Sequence, residues 1–197
     1  MIEETYQRAV LADLVWKEAS WWRSVALIVS GALLVALCSR IVIPLQPVPI
    51  TGQTFGVLLA GALLGSRRGM LSILTYLCLG FIGIPVFASA PIGLAGVTGP
   101  TAGYLAGFVA AAGIVGWLCE CGWDRRTSTT FLAMTLGMLP IYTLGVVWLT
   151  QFVGWRSVVP AGITPFLLGD ALKIVLAALV LPRAWGLVGG RNAKAEG

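Results

Sequence analysis

An acidic and a basic side chain lie three residues apart in an otherwise apolar stretch near the end of the chain. The pair is Asp170 and Lys173, in the sequence Thr-Pro-Phe-Leu-Leu-Gly-Asp-Ala-Leu-Lys. Residues at i and i+3 of a helix share a face, so both side chains are expected to point into one region. A carboxylate acceptor and an ammonium donor one turn apart suit a neutral polar ring that carries N–H and C=O groups. The alternative is a mutual ion pair that only fixes helix packing.

Two further polar residues, Gln53 and Tyr104, are candidate ligand contacts because of the sequence around them. Gln53 follows a segment with three prolines and begins a predicted helix, where its amide can offer a donor and an acceptor to a site. The same residues also fit a helix start capped by Thr51. Tyr104 lies one position off a glycine face formed by residues 99, 103 and 107, and it is a candidate ligand contact. The glycine face itself predicts close helix packing within the protein, with a self-dimer seam as the alternative.

The segment from Pro85 to Pro100 carries no charge and is rich in small residues. Irregular backbone of this kind is tolerated near a membrane where it is buried in protein or lines a cavity. The segment therefore predicts a pocket wall or lid.

Composition excludes most classes of soluble enzyme. The chain has 197 residues, of which 58% are hydrophobic and 11% charged, and its mean hydropathy is +0.91; a soluble domain carries about twice that charge. Histidine is absent, which excludes Ser-His-Asp triads and histidine metal sites. No Walker-type phosphate loop is present, so the chain cannot use ATP by that route. We expect no catalytic residues, no metal and no cofactor, and the four cysteines are interpreted as small apolar residues.

Hydropathy predicts an all-α integral membrane protein with six transmembrane helices. A span with its loop takes about 30 residues, which also gives six for this length. The predicted spans are Ser24–Ser39, Thr51–Gly65, Met70–Ile84, Thr101–Cys121, Thr129–Val153 and Ile163–Leu181.

The basic residues predict that both termini are cytoplasmic. With the N-terminus inside, ten lysine and arginine residues lie in inside segments, only Arg40 and Arg156 lie outside, and Lys173 lies within a span. The net charge of +5 is therefore interpreted as a signal of topology. The lipid bilayer is an expected partner, and no nucleic acid is expected. The predicted parts are a cytoplasmic or interfacial segment at 1–22, a membrane domain at 23–185 and a polar tail at 186–197.

Four motifs together resemble the BioY family, the biotin-specific substrate-binding (S) subunits of energy-coupling factor (ECF) transporters. They are VPITGQTFGVLLAGALLG, the GxxGIPVF stretch at Gly80–Phe87, GPTAGYLAGF and PFLLGDALK. The similarity runs from about Ala26 to Leu181 in the order and spacing of the family.

The resemblance implies a protein of the prokaryotic cell membrane that captures biotin at high affinity from the outer side. A transmembrane coupling subunit and two ATPase subunits would drive release inward. The family's Asp-x-x-Lys motif matches Asp170, which would accept a hydrogen bond from a ring N–H, and Lys173, which would donate to the ring carbonyl. Tyr104 and Gln53 match family positions in or near the pocket.

The remaining implied contacts are apolar walls and a partner surface. Candidates for the walls are Phe87, Phe166 and Trp148, and Ser89 stands where relatives have a glycine-rich stretch, so it could substitute for a polar contact there. Ala32 and Ala36 resemble the alanine motif by which S subunits contact the coupling subunit; from spacing alone, the pair could equally pack within the protein.

Three other functions are considered. The chain could be an S subunit for another vitamin, such as riboflavin or thiamine. It could be an intramembrane enzyme that uses Asp170 and Lys173 as general acid and base, or a structural membrane protein in which that pair packs helices.

Overall fold

The computed structural model describes residues 9–15, 20–88 and 98–195, with side chains described as far as Val188. The described part is helical apart from one short strand pair and its loops. Its helices are α1 (Leu11–Val15), α2 (Trp21–Cys38), α3 (Gln53–Leu64), α4 (Ser66–Phe81), α5 (Ala102–Glu120), α6 (Thr127–Val153), α7 (Val158–Gly162) and α8 (Thr164–Ala195), with a 3-10 turn at Trp123–Arg125.

Four helical segments are long and apolar enough to cross a membrane. They are α2, α5, α6 and the segment Val158–Val188, which contains α7 and most of α8. Helices α3 and α4 have 12 and 16 residues, or about 18 and 24 Å at the helical rise, and are shorter than a full crossing. Each predicted span overlaps one of the helices α2, α3, α4, α5, α6 and α8, with ends that differ by a few residues except at the end of α8. The chain is thus a multi-pass membrane protein.

The glycine face of α5 packs against α6. A Cβ on Gly107 would lie 2.6 Å from the Cα of Ile141, and one on Gly103 would lie 2.3 Å from the carbonyl oxygen of Leu144. Only glycine allows the two backbones to approach this closely. The prediction of close packing within the protein is therefore confirmed at Gly103 and Gly107.

Helix α8 continues past Pro182 to Ala195, whereas the sequence predicted that the span ends at Leu181 and that a polar tail begins at 186. Trp185 explains part of this extension, because it is 7% exposed and its indole Nε1 donates to Asp124 Oδ2 at 2.5 Å. Burial of this indole fixes α8 against the 3-10 turn one turn beyond the proline.

The start of the described chain is fixed to the bundle by an ion-pair cluster. Asp13 of α1 accepts from Arg23 of α2 at 2.6 Å and from Arg68 of α4 at 2.7 Å. Burial raises the pKa of Asp13, but the hydrogen bond and charge of Arg68, with Arg23, lower it more, and the net pKa is below its usual value. Residues 9–15 thus dock on the predicted cytoplasmic end of the protein.

At the opposite end, two loops follow α2 and α4. After α2, strand β1 (Val42–Ile43) pairs antiparallel with β2 (Ile50–Thr51), with Val42 opposite Thr51. The backbone N–H of Gly52 donates to the carbonyl of Ile41 at 2.9 Å and closes this hairpin. After α4 comes a loop of residues 82–88, named the outer loop after the side of the membrane that the sequence predicts for it. Its carbonyl oxygen at Val86 accepts from the hydroxyl of Ser39 at 2.7 Å, so both loops are fixed to the end of α2.

Candidate ligand-binding site

A cavity opens between the hairpin, the outer loop and helices α3, α5, α6 and α8. Its walls are mostly apolar, and its polar groups are concentrated where α3 faces α8. The described residues that line it are Val48, Pro49, Thr51, Gln53, Thr54, Phe87, Ala88, Thr101, Tyr104, Leu105, Phe108, Ile141, Tyr142, Phe166, Asp170 and Lys173.

Asp170 and Lys173 form an ion pair in the wall of this cavity. Lys173 Nζ lies 2.8 Å from Asp170 Oδ1, and Asp170 is 5% exposed. Helix α3 supplies a second partner to both, since Thr54 Oγ1 donates to Asp170 Oδ1 at 3.0 Å and accepts from Lys173 Nζ at 2.8 Å. Lys173 also donates to the carbonyl of Thr51 at 2.7 Å, and the hydroxyl of Tyr142 donates to Asp170 Oδ2 at 2.6 Å.

The hydrogen-bond capacity of this cluster limits how a ligand can join it. A lysine ammonium has three N–H donors, and those of Lys173 are matched by its three acceptors. A carboxylate can accept about four hydrogen bonds, and Asp170 Oδ2 accepts one among the described residues. A ligand N–H can therefore add to Oδ2, whereas a ligand carbonyl must replace one of the present partners of Lys173.

Gln53 lines the cavity, but its amide is engaged within the protein. Its Nε2 donates to the hydroxyl of Tyr76 at 2.6 Å, and its Oε1 accepts from Thr51 Oγ1 at 2.9 Å. The backbone N–H of Gln53 also donates to Thr51 Oγ1 at 3.3 Å, but the N-cap residue of α3 is Gly52, so Thr51 supports the helix start from one residue before the cap. Gln53 combines a place in the cavity wall with a structural role.

Three aromatic candidates lie in the cavity wall. The ring of Tyr104 packs beside Phe166, with ring centres 6.2 Å apart, and its hydroxyl donates to the carbonyl of Gly162 at 2.8 Å. Phe87 meets Tyr76 edge to face at 5.5 Å. Tyr104 therefore offers its ring to the cavity while its hydroxyl holds α7 against α5.

Two candidates lie elsewhere. Trp148 does not belong to the described lining; its indole N–H donates to the carbonyl of Gly99 at 2.9 Å, and its ring is 6.4 Å from that of Phe152. Ser89 lies outside the described residues. Sequence reasoning missed Thr54 and Tyr142, which complete the charged cluster; the available signal was a hydroxyl within an apolar helix, which needs a partner when buried.

Metal binding has no support in the described ranges, since no three Cys, Asp or Glu side chains there come together as a ligand set.

Comparison with known proteins supplies the family. The sequence model of the BioY family matches residues 9–190. This chain belongs to the BioY family. It is similar to the probable biotin transporter BioY of Pyrococcus horikoshii, with 40% identity over 158 residues that cover 79% of this chain and 93% of the relative. It is also similar to the biotin transporter BioY of Thermotoga maritima, with 41% identity over 160 residues that cover 80% and 89%.

A solved structure shares the fold of this BioY-family chain. The S-component for biotin from an ECF-type ABC transporter superposes with a TM-score of 0.72 and 23% identity, over 82% of this chain and 89% of that one. At this identity, the likeness concerns the fold alone.

The pair Ala32 and Ala36 is divided between the interior and the surface. Ala32 is 1% exposed, and its neighbour Val35 packs against Gly56 of α3. Ala36 is half-buried and lies beside the exposed Leu33 and Leu37. Packing within the protein, which the spacing left open, thus accounts for Ala32.

Proposed function

We propose that this BioY-family chain is a biotin-binding S subunit of an ECF transporter and takes up biotin into a prokaryotic cell through the plasma membrane. The observation that carries the proposal is the cluster around Asp170 and Lys173, placed in the wall of a mostly apolar cavity. The names of the Pyrococcus and Thermotoga relatives support the ligand. The function is capture and transport, with no chemical change of the ligand.

Biotin fits the donors and acceptors of this cluster. In the proposed complex a ureido N–H donates to the open position on Asp170 Oδ2. The ureido carbonyl takes the place of Thr54 Oγ1 as an acceptor for Lys173, because that hydroxyl can remain bonded to Asp170. The rings of Phe87, Tyr104 and Phe166 enclose the apolar part of the ligand.

The proposed topology has six crossings, made by α2, α3, α4, α5, α6 and α8, with both ends in the cytoplasm. The ten-to-two distribution of basic residues supports it. Helix α3 begins after the hairpin and helix α4 ends at the outer loop, so each short helix has one end on the cavity side, and the cavity then opens to the outside. Ligand capture from the outer face follows from this orientation.

The proposed partners are a transmembrane coupling subunit and ATPase subunits. They would supply the energy of ATP hydrolysis, because this sequence has no Walker motif of its own. The proposed contact lies on the exposed face of α2, with Ala36 as its small residue and Leu33 and Leu37 beside it. Ala32 acts behind this face, where its size allows α2 to pack on the bundle.

Equilibrium binding of biotin to the purified protein in detergent tests the proposal, with riboflavin and thiamine as competitors. We expect tight binding that neither competitor displaces, and recovery of unchanged biotin after release. Displacement by riboflavin or thiamine would assign another vitamin, and a chemically altered ligand would indicate an enzyme. Folded protein that binds none of the three would refute the proposal.

A further inference from the structure

The two positive charges at the outer end of the protein are unusual, because outer loops of membrane proteins are usually poor in arginine and lysine. In the topology proposed above they are Arg40 and Arg156. No carboxylate balances them there, since the acidic residues of the chain are Glu3, Glu4, Asp13, Glu18, Glu120, Asp124, Asp170 and Glu196. Asp170 is paired with Lys173, Glu120 lies at the cytoplasmic end of the predicted span Thr101–Cys121, and the other six lie in predicted cytoplasmic segments.

Arg40 lies between the two loops that border the cavity, a position named the rim here, and is not among the described lining residues. It follows α2 after one residue, Ser39, and its guanidinium Nη2 donates to the carbonyl of Pro85 in the outer loop. Two residues further on, Phe87 lines the cavity. On its other side, Ile41 accepts the hydrogen bond that closes the hairpin, and the hairpin supplies Pro49 to the same cavity. Arg40 is thus fixed between the two loops that border the opening.

The guanidinium of Arg40 keeps most of its hydrogen-bonding capacity. It has five N–H donors in a fork that matches a carboxylate. One contact, to Pro85, is made within the described chain, the side chain is exposed, and none of the described carboxylates pairs with it. By contrast, Asp170 and Lys173 neutralise each other inside the cavity, so the positive charge at the opening comes from the rim.

We propose that Arg40 selects ligands with a terminal carboxylate, by attracting that group to the rim and pairing with it. The inference rests on the proposed function and deepens it. When the ureido ring binds at Asp170 and Lys173, the pentanoate chain of biotin extends from the cavity towards the opening. A guanidinium at the rim meets the anionic end of that chain, and its field speeds the approach of an anion.

Dissociation constants for biotin and for neutral biotinamide test this role, measured for the wild type, Arg40→Gln and Arg156→Gln. Arg156 is the matched control because it is the other exposed outer arginine. We expect the wild type to prefer biotin over biotinamide and Arg40→Gln to weaken biotin binding by about fivefold, the scale of an exposed ion pair. Biotinamide binding should stay unchanged, and Arg156→Gln should behave as the wild type does.

Equal weakening of both ligands by Arg40→Gln would overturn the proposal and leave Arg40 as a support for the outer loop. So would an unchanged preference for biotin. If Arg40→Gln does not fold, the association rate of biotin with the wild type decides. It should fall as ionic strength rises, because salt screens an exposed charge, and Arg40→Lys should retain that dependence; a rate independent of salt would refute the proposal. Folded wild type that binds neither ligand would instead refute the proposed biotin function on which the inference rests.

Discussion

Asp170→Asn separates the ligand-binding role of the charged cluster from its packing role. The substitution keeps the size of the side chain but replaces a charged acceptor with an amide. Loss of a hydrogen bond to a charged group costs about 1.5–3 kcal/mol, which corresponds to roughly 10- to 150-fold weaker biotin binding. Isothermal titration of the detergent-purified protein measures this change.

The same substitution also lowers stability, and a control must account for that. Lys173 keeps Thr51 and Thr54 as partners but loses its counter-ion while its side chain is 19% exposed. Breaking a fully buried pair costs about 3–5 kcal/mol, and we expect less here because Lys173 remains partly solvated. Asp13→Asn is the matched control, since it breaks an ion pair remote from the cavity. It should lower the thermal unfolding midpoint and leave biotin affinity intact. Folded Asp170→Asn protein with the affinity of the wild type would remove Asp170 from the site.

Three further predictions concern separate parts of the structure. Lys173→Met should weaken biotin binding about tenfold in titration, because it leaves the buried ureido carbonyl of the ligand without a donor; unchanged affinity would exclude that contact. Burial raises the pKa of Asp124 to about 6, so the folded state binds more protons than the unfolded state between about pH 4 and 6. Stability should therefore rise by about 1 kcal/mol from pH 7 to 5, and thermal unfolding of Asp124→Asn should lack this part of the rise; an identical pH profile would contradict the assignment. Gly107→Ala should lower the unfolding midpoint strongly, because its Cβ meets the α6 backbone, whereas Gly113→Ala meets only the flexible side chain of Met70; equal effects would argue against the backbone contact.

The sequence identified the charged pair because a carboxylate and an ammonium stand out in an apolar segment, and their spacing requires a shared helix face. It could not supply Thr54, which lies 116 residues away from Asp170 along the chain. A hydroxyl in an apolar helix can bond to its own backbone, as Thr75 does to Leu71. Whether such a hydroxyl bonds to its own backbone or to a side chain of another helix depends on where that helix lies, and that is a property of the fold.

The sequence also could not supply the direction in which a side chain points from its helix. Residue type alone makes Trp148 a candidate for an apolar wall, but its indole N–H donates to the carbonyl of Gly99, and the ring follows that hydrogen bond away from the described lining. The alanine pair shows the same limit, since residues four apart differ by about 40° around a helix. This difference suffices to bury Ala32 while Ala36 reaches the edge of the exposed face.

The bonding within the cluster implies that polar contacts and apolar walls contribute differently to binding. Because Lys173 already uses its three donors, a bond to the ligand carbonyl replaces an existing bond, and the net gain in free energy is small. A ligand that presents an N–H at this position instead would place two donors against each other and leave the ligand N–H without an acceptor. Lys173 therefore acts mainly to reject ligands with the wrong pattern of donors and acceptors, whereas the open position on Asp170 Oδ2 can gain a bond. Most of the affinity must come from burial of the apolar ring and chain against Phe87, Tyr104 and Phe166, since burial of apolar surface needs no such exchange.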